Sequence, residues 1–330
     1  MRVTARLLFA FCAFAVLVVA IAQVASTGSG QAYPTKAIRF IVPFPPGGPT
    51  DTHGRWAAQQ LNAAFGQPVV VENRAGAAGV IGTEAVAKAA PDGYTLLGGN
   101  PGPLTIAPSL RKQLGYDPLR DFAPITLIVR NASCMCIHPS LPAKGLKEFI
   151  AIAKASPTKI NYATPGLGTV GHLAIENFAT LAGIKMTHVP YKGAALYTVD
   201  LLAGNIDFAQ IQIFQAAPYV RGGKLRCLAV TSTARSALLP DAPTAQEQGL
   251  KGFSSYNWNG LLAPAGTPRA IVDRIHGILA KPLGNPEFRR QMEALGNEVA
   301  GEGPDQYAVF LKAETEKWAK VAKAAGLKPE

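Results

Sequence analysis

Cysteine is scarce in this chain, four among 330 residues, and none of the four sits in a paired motif of metal-ligand spacing. That excludes the usual cysteine-held metal centres. Acids are also in short supply, 21 Asp and Glu against 32 Lys and Arg, for a formal charge of +11. The basic residues are scattered, however, with no Lys/Arg run and no basic stripe interleaved with aromatics, so no nucleic-acid partner is expected. A general attraction for anions fits the balance better. Catalytic signatures are missing as well: there is no G-x-S-x-G elbow, no G-x-x-x-x-G-K-[ST] and no H-E-x-x-H. The five histidines, His53, His138, His172, His188 and His276, are dispersed along the chain. Neither a metal nor a cofactor is expected.

What is present is a 48% hydrophobic composition with 33 glycines, over a length that accommodates two α/β domains with a core each. Residues 1–32 read differently. MRVTAR supplies two arginines and LLFAFCAFAVLVVAIA an apolar run, followed by small and polar residues, the pattern of a secretory signal peptide. Cleavage after Ala22 or after Ala32 fits, and Ala32 is favoured because ordered patterning starts at YPTKAIRFIV; an uncleaved anchor is the other reading. Loss of Arg2 and Arg6 takes the charge from +11 to +9, and the expected location is the periplasm. Cys134, Cys136 and Cys227 then remain. Cys134 and Cys136 share a strand face, where a bridge between them is strained, and three buried thiols are the expectation, with a Cys227 bridge to one of the pair as the alternative.

From residue 33 strand-like and helix-like runs alternate, as in α/β folds with parallel strands. IRFIV (38–42), PVVVE (68–72) and YTLLG (94–98) form a first series, with helices at about 50–65 and 80–90. SCMCIHP (133–139), INYAT (160–164), MTHVPY (186–191), IDFAQ and KLRCLAVT (224–231) form a second, with helices at 144–155, 172–182, over GAALYTVDLLAG and through 213–222. SSYNWNGLLAPAGTP (254–268) is extended, and the C-terminal remainder is helical near 267–281, 286–295 and 304–325. The economical arrangement is a first lobe of 33–131 completed by 254–330, with a second lobe of 132–253 inserted. Two extended crossings between them make a hinge.

Three loops, FPPGGPTD, NRAGAAGV and PGLGTVGH, each follow a strand and enter a helix, whose first turn offers unpaired N–H groups and the positive end of its dipole to an anion. The G-x-G-x-x-G of Gly166–Gly171 is not read as a dinucleotide site, because no acid stands about 20 residues on: that stretch reads HVPYKG. A carboxylate suits Thr169 and the neighbouring amides better. Asp51 is placed to cap the helix at Thr50–His53, and both Asp51 and Asp200 read more readily as caged structural acids than as ligand contacts.

These segments together resemble the tripartite tricarboxylate transporter solute receptors, also called the Bug family of periplasmic binding proteins. The resemblance is carried by YPTKAIRFIVPFPPGG with Asp51, GQPVVVENRAGAAGVIG, APDGYTLL, YDPLRDFAPIT, GLGTVGHLAIENF, HVPYKG with DLLAGNIDF, GKLRCLAVTS with LPDAPTAQEQG, and WNGLLAPAGTP. It implies a two-lobe Venus-flytrap fold, each lobe a mostly parallel sheet flanked by helices, closing on a small organic carboxylate. Position by position, it implies that Phe44, Pro46, Gly47, Gly48 and Asp51 form the first ligand loop and Gly166, Gly168, Thr169 and His172 the second. Tyr191, Lys192 and Gly193 form a turn beside the cleft, and Asp200 the acid on the following helix. Pro49 stands where a small residue or glycine is more usual, and His53-Gly54 where small residues precede the arginine, here Arg55. Gln210 and Gln212 replace the more common Phe and polar or acidic residues.

Helix-start amides recognise any carboxylate, so selectivity falls to other groups: Gln210 and Gln212, which share a strand face, with Asn100 and Asn257. The expected function is delivery of a solute, a di- or tricarboxylate, an amino acid or an aromatic acid, to membrane permease subunits of the tripartite type. A sensor subunit docking on a signalling ectodomain is the alternative. An exported hydrolase is disfavoured by the absence of a nucleophile paired with a base.

Overall fold

The computed structural model describes residues 33–329, so the signal-peptide reading falls outside the described residues. The first lobe starts from β1 (Ile38–Val42), whose apolar run IRFIV is buried at four of its five positions. Helix α1 (Pro49–Phe65), β2 (Val69–Asn73), α2 (Val80–Ala87) and β3 (Thr95–Gly99) follow, and β1 pairs in parallel with both β2 and β3. Burial suits β1 and β3, which read as apolar runs, whereas β2 at the edge of the sheet is only half-buried.

Beyond β3 the chain departs from expectation. A π-helical segment, Gly102–Ile106, leads into α3 (Ala107–Leu110), where no helix is legible in GPLTIAPSL. β4 (Phe122–Ile137) is a single strand of 16 residues, not one that starts at 133. Its first part pairs antiparallel with β9 (Tyr256–Pro264) and with β10 (Glu298–Glu302), its second part with β7 (Phe208–Gln212) and β8 (Arg226–Val230). Between and around these strands the chain adds α4 (Leu146–Ala155), β5 (Asn161–Thr164), α5 (Val170–Ala182), β6 (Thr187–Pro190), α6 (Ala194–Leu202) and α7 (Ile213–Arg221). The strand order is β2-β1-β3-β9-β4-β7-β5-β6, with β8 and β10 attached to β4. The sheet is therefore mixed where a mostly parallel one is expected. The reason is that β4 and β9 run antiparallel at the centre of the order, with β4 pairing β9 and β10 through its first part and β7 and β8 through its second.

Helices α8 (Arg269–Gly284), α9 (Pro286–Ala294) and α10 (Pro304–Ala324) complete the chain. β10, between the last two, is absent from the sequence reading because EVAGE carries little apolar alternation. Trp258 on β9 anchors α10, meeting Tyr307 and Phe310 edge-on at 5.8 and 5.6 Å, a favoured aromatic geometry. Across the lobes, Leu173 and Ala174 of α5 join Ile106, Trp318 and Val321 in one apolar cluster. No helix among the described residues is long and apolar enough to cross a membrane.

The cysteines also differ from expectation. Cys134 and Cys227 are disulfide-bonded across the β4–β8 pair, and only Cys136 stays a buried thiol. Strand pairing brings two distant segments within bridging range, which spacing along the chain does not reveal.

Candidate functional site

The loop between β1 and α1 is held by Asp51. Its Oδ2 accepts from the Gly47 amide at 2.9 Å and from Arg55 Nε at 2.9 Å, and its Oδ1 accepts from Asn73 Nδ2 at 2.8 Å. Asn73 also donates to the Phe44 carbonyl. Burial raises the Asp51 pKa, but the Arg55, Gly47 and Asn73 hydrogen bonds outweigh it and hold the carboxyl below its usual range. Gly47 turns the loop with φ +85°, a conformation that favours glycine. Asp51 is thus the caged acid, and it reaches back to Gly47, while Gly48 caps the helix without a side-chain bond. Pro46 is exposed and Phe44 half-buried.

Two of the expected anion donors are already taken. The Gly47 N–H is already given to Asp51. In the second lobe, the Thr169 hydroxyl donates to the Gly166 carbonyl at 2.7 Å and accepts from the His172 amide. Neither group is free to donate to an anion, because each is spent on closing its own loop. What the loops leave open are the amides that precede the first intrahelical bonds, Thr52 N–H to Gly48 C=O in α1 and Leu173 N–H to Thr169 C=O in α5. Those are Gly48, Thr50 and Asp51 on one side, and Val170 and Gly171 on the other. Gly168 (φ +71°) brings its loop against α3, since a Cβ there would lie 3.4 Å from Leu110 Cδ1.

The turn after β6 places Tyr191 beside Asp200, with the phenol donating at 2.6 Å; that bond and burial push the phenol up to about 12. Asn205 donates to the other Asp200 oxygen. Asp200 is therefore a second caged acid, Lys192 stays exposed, and Gly193 caps α6.

Two of the candidate selectivity residues meet. Asn100 Nδ2 lies 3.3 Å from Asn257 Oδ1 and 3.2 Å from Thr50 Oγ1. Thr50 also accepts from Asn259 at 2.8 Å, and Asn259 pairs with His53 at 3.0 Å. Burial lowers the His53 pKa against its bonds with Asn259 and Asn297, so it is neutral here. Asn131, opposite Asn257 on β4, donates to Asn297. None of Asn259, Asn131, Asn297, Thr50 and His53 is a site candidate in the sequence, where Thr50 and His53 figure as part of a helix start. The alternation N-W-N in β9 carried a signal, for it puts Asn257 and Asn259 on one face and Trp258 on the other.

Gln210 and Gln212 do not point to solvent as a pair: Gln210 is buried and Gln212 half-buried. Beside them the dispersed histidines prove partly clustered. His172 stacks on His188, His188 on Tyr162, and Thr164 Oγ1 bonds His188 Nε2 at 2.7 Å. Tyr162 donates to Glu176. A separate surface depression of about 510 Å3, lined by Arg130, Glu302, Asp305, Gln306, Val309 and Phe310, holds none of the candidate residues.

Residues 54–327 match the tripartite tricarboxylate transporter family receptor, TctC. The chain belongs to this receptor family. BugT of Bordetella pertussis is 37% identical over 312 residues, covering 94% of this chain and 95% of BugT. The solved structure of R. palustris Rpa4515 with adipate superposes with a TM-score of 0.81 at 35% identity, covering 90% of this chain and 100% of that one. The periplasmic binding protein BugD gives 0.77 at 37%, with 90% and 100% covered. The fold is accordingly that of two-lobe periplasmic solute receptors, and the similar proteins are binding proteins.

Proposed function

We propose that this receptor closes its two lobes, 33–131 with 254–330 and 132–253, on a small organic carboxylate. Delivery is to permease subunits of the tripartite type, after export through a cleaved signal peptide. The carboxylate sits between the first turns of α1 and α5. Phe44, Pro46, Gly47 and Gly48 shape one side; Gly166, Gly168, Thr169 and His172 shape the other, and Tyr191, Lys192 and Gly193 flank it. The side-chain carboxylates of Asp51 and Asp200 hold these loops and do not touch the solute. Asn100, Asn257, Gln210 and Gln212 face its remainder. The protein binds the solute without transforming it.

One observation carries this reading. Each lobe contributes a glycine loop to a helix start whose first amides precede any intrahelical bond, and such ends favour anions through both hydrogen bonding and the helix dipole. Adipate bound to the similar Rpa4515 supports it. Thermal-shift screening of organic acids tests it: a bound acid at 100 times its dissociation constant raises stability by about 2.7 kcal/mol. No shift with any carboxylate, alongside a shift with a neutral sugar, would overturn it.

A further inference from the structure

β7 ends in two amide side chains that stop short of any partner. Gln210 is 6% exposed, and its Nε2 has no hydrogen-bond partner among the described residues. Gln212, two residues on, leaves its Oε1 buried and equally unpartnered. Buried polar groups are normally satisfied, so a donor and an acceptor left open on one strand face mark a surface shaped for a polar guest.

Their place in the sheet puts this surface beside the proposed cleft. β5 and β7 are parallel, with Tyr162 beside Phe208 and Ala163 beside Ala209. Both strands therefore end at the edge where the 165–169 loop enters α5. Across β4, Gln212 stands opposite Ser133, and Asn257 opposite Asn131. Opposed residues and residues two apart share a face. Gln210, Gln212, Asn131 and Asn257 thus form one row from the second lobe into the first, and Asn131 Oδ1 is another buried, unpartnered atom.

This row is neutral. Burial keeps His53 and His172 uncharged near neutral pH. The cations on adjoining loops lie outside it: Arg55 is committed to Asp51 and Asn73, exposed Arg111 bonds the Ala77 carbonyl, and Lys192 is exposed. A second carboxylate buried against this row would lose its hydration and find no counter-ion, which is costly. A neutral group that both donates and accepts satisfies an amide pair in full.

We infer that the solute is a monocarboxylate whose far end is a neutral amide or hydroxyl, received by Gln210 and Gln212, and that the dicarboxylate of equal length is disfavoured. This rests on the carboxylate reading above and narrows it, because adipate in the similar Rpa4515 carries a charge at both ends.

Calorimetric titration of the purified receptor at pH 7.5 tests it with three matched sets. These are succinate, succinamate and 4-hydroxybutyrate; glutarate, glutaramate and 5-hydroxypentanoate; adipate, adipamate and 6-hydroxyhexanoate. At the chain length that binds best, the amide- or hydroxyl-ended acid should bind at least about tenfold tighter than the diacid. Gln210→Leu should shrink that preference to about threefold or less. Should that variant fail to fold, Gln210→Glu, of nearly equal size, should weaken the diacid more than the amide-ended acid. A diacid that binds as tightly as its monoamide, or a ranking unchanged by both Gln210→Leu and Gln212→Leu, overturns the inference. Absence of binding by every acid, whatever its far end, removes the carboxylate reading itself and the inference with it.

Discussion

His172 and His188 lie ring on ring, centroids 4.5 Å apart and planes tilted by 20°. Burial depresses both pKa values to about 4, and each ring's charge would oppose the other's, while Glu176 alone pulls His188 upward. The unfolded imidazoles titrate near about 6.5, so below that pH the unfolded chain binds more protons than the folded one. Stability from this pair is full above about 6.5 and drains away as pH falls toward 4. The melting temperature should therefore drop between pH 7 and 4.5. His172→Phe should flatten part of that drop, and an equally steep profile in the variant would assign the effect to other groups.

Asp51→Asn should loosen the loop between β1 and α1. The substitution keeps the shape but removes the charge that faces Arg55 and gives the donating Gly47 N–H a weaker acceptor than the carboxylate, at a cost of about 1–3 kcal/mol. Affinity should fall with stability, since the open amides of α1 depend on this loop. Urea unfolding and ligand titration on one preparation would read both, and unchanged affinity would show that the loop holds its shape without the acid.

Thr50 serves two amides, accepting from Asn100 and from Asn259. Thr50→Val keeps the volume and strands both donors, so a loss of about 1–3 kcal/mol is expected in chemical denaturation. An effect below about 0.5 kcal/mol would mean that water replaces the hydroxyl.

Binding should be independent of metal. Among the described residues no group of three His, Cys, Asp or Glu is placed to hold an ion. Dialysis against a chelator is expected to leave ligand affinity within error, and loss of affinity that one added metal restores would contradict this.

The Cys134–Cys227 bridge spans 93 residues of sequence. Closing a loop of that size restricts the unfolded chain strongly, so Cys227→Ser should lower stability by roughly 2–4 kcal/mol. Reduction of the native protein should do the same, and a variant as stable as the parent would show that packing in the β4–β8 pair suffices.

The local units are written in the order of residues along the chain: apolar runs such as IRFIV and INYAT, the glycine loops that come after them, and the helices those loops enter. Each is set by contacts within a few residues, by a period of two or 3.6, and by where glycine permits a turn. For the same reason Phe44–Asp51 and Gly166–His172 were legible as glycine loops that enter helices. Tertiary structure alone decided which of their donors are free. Gly47 and Thr169 look available in the sequence, yet each is occupied by a neighbour that only folding brings into reach. Only tertiary structure, too, fused residues 122–137 into one strand through both lobes, added β10, joined Cys134 to Cys227 and stacked His172 on His188. It also aligned Asn257, Asn131, Gln212 and Gln210 on one face. These depend on strand register between segments far apart in sequence, as with Glu298 against Arg130 and Asn257 against Asn131, which is fixed by the fit of whole faces and leaves no periodic trace in any one segment.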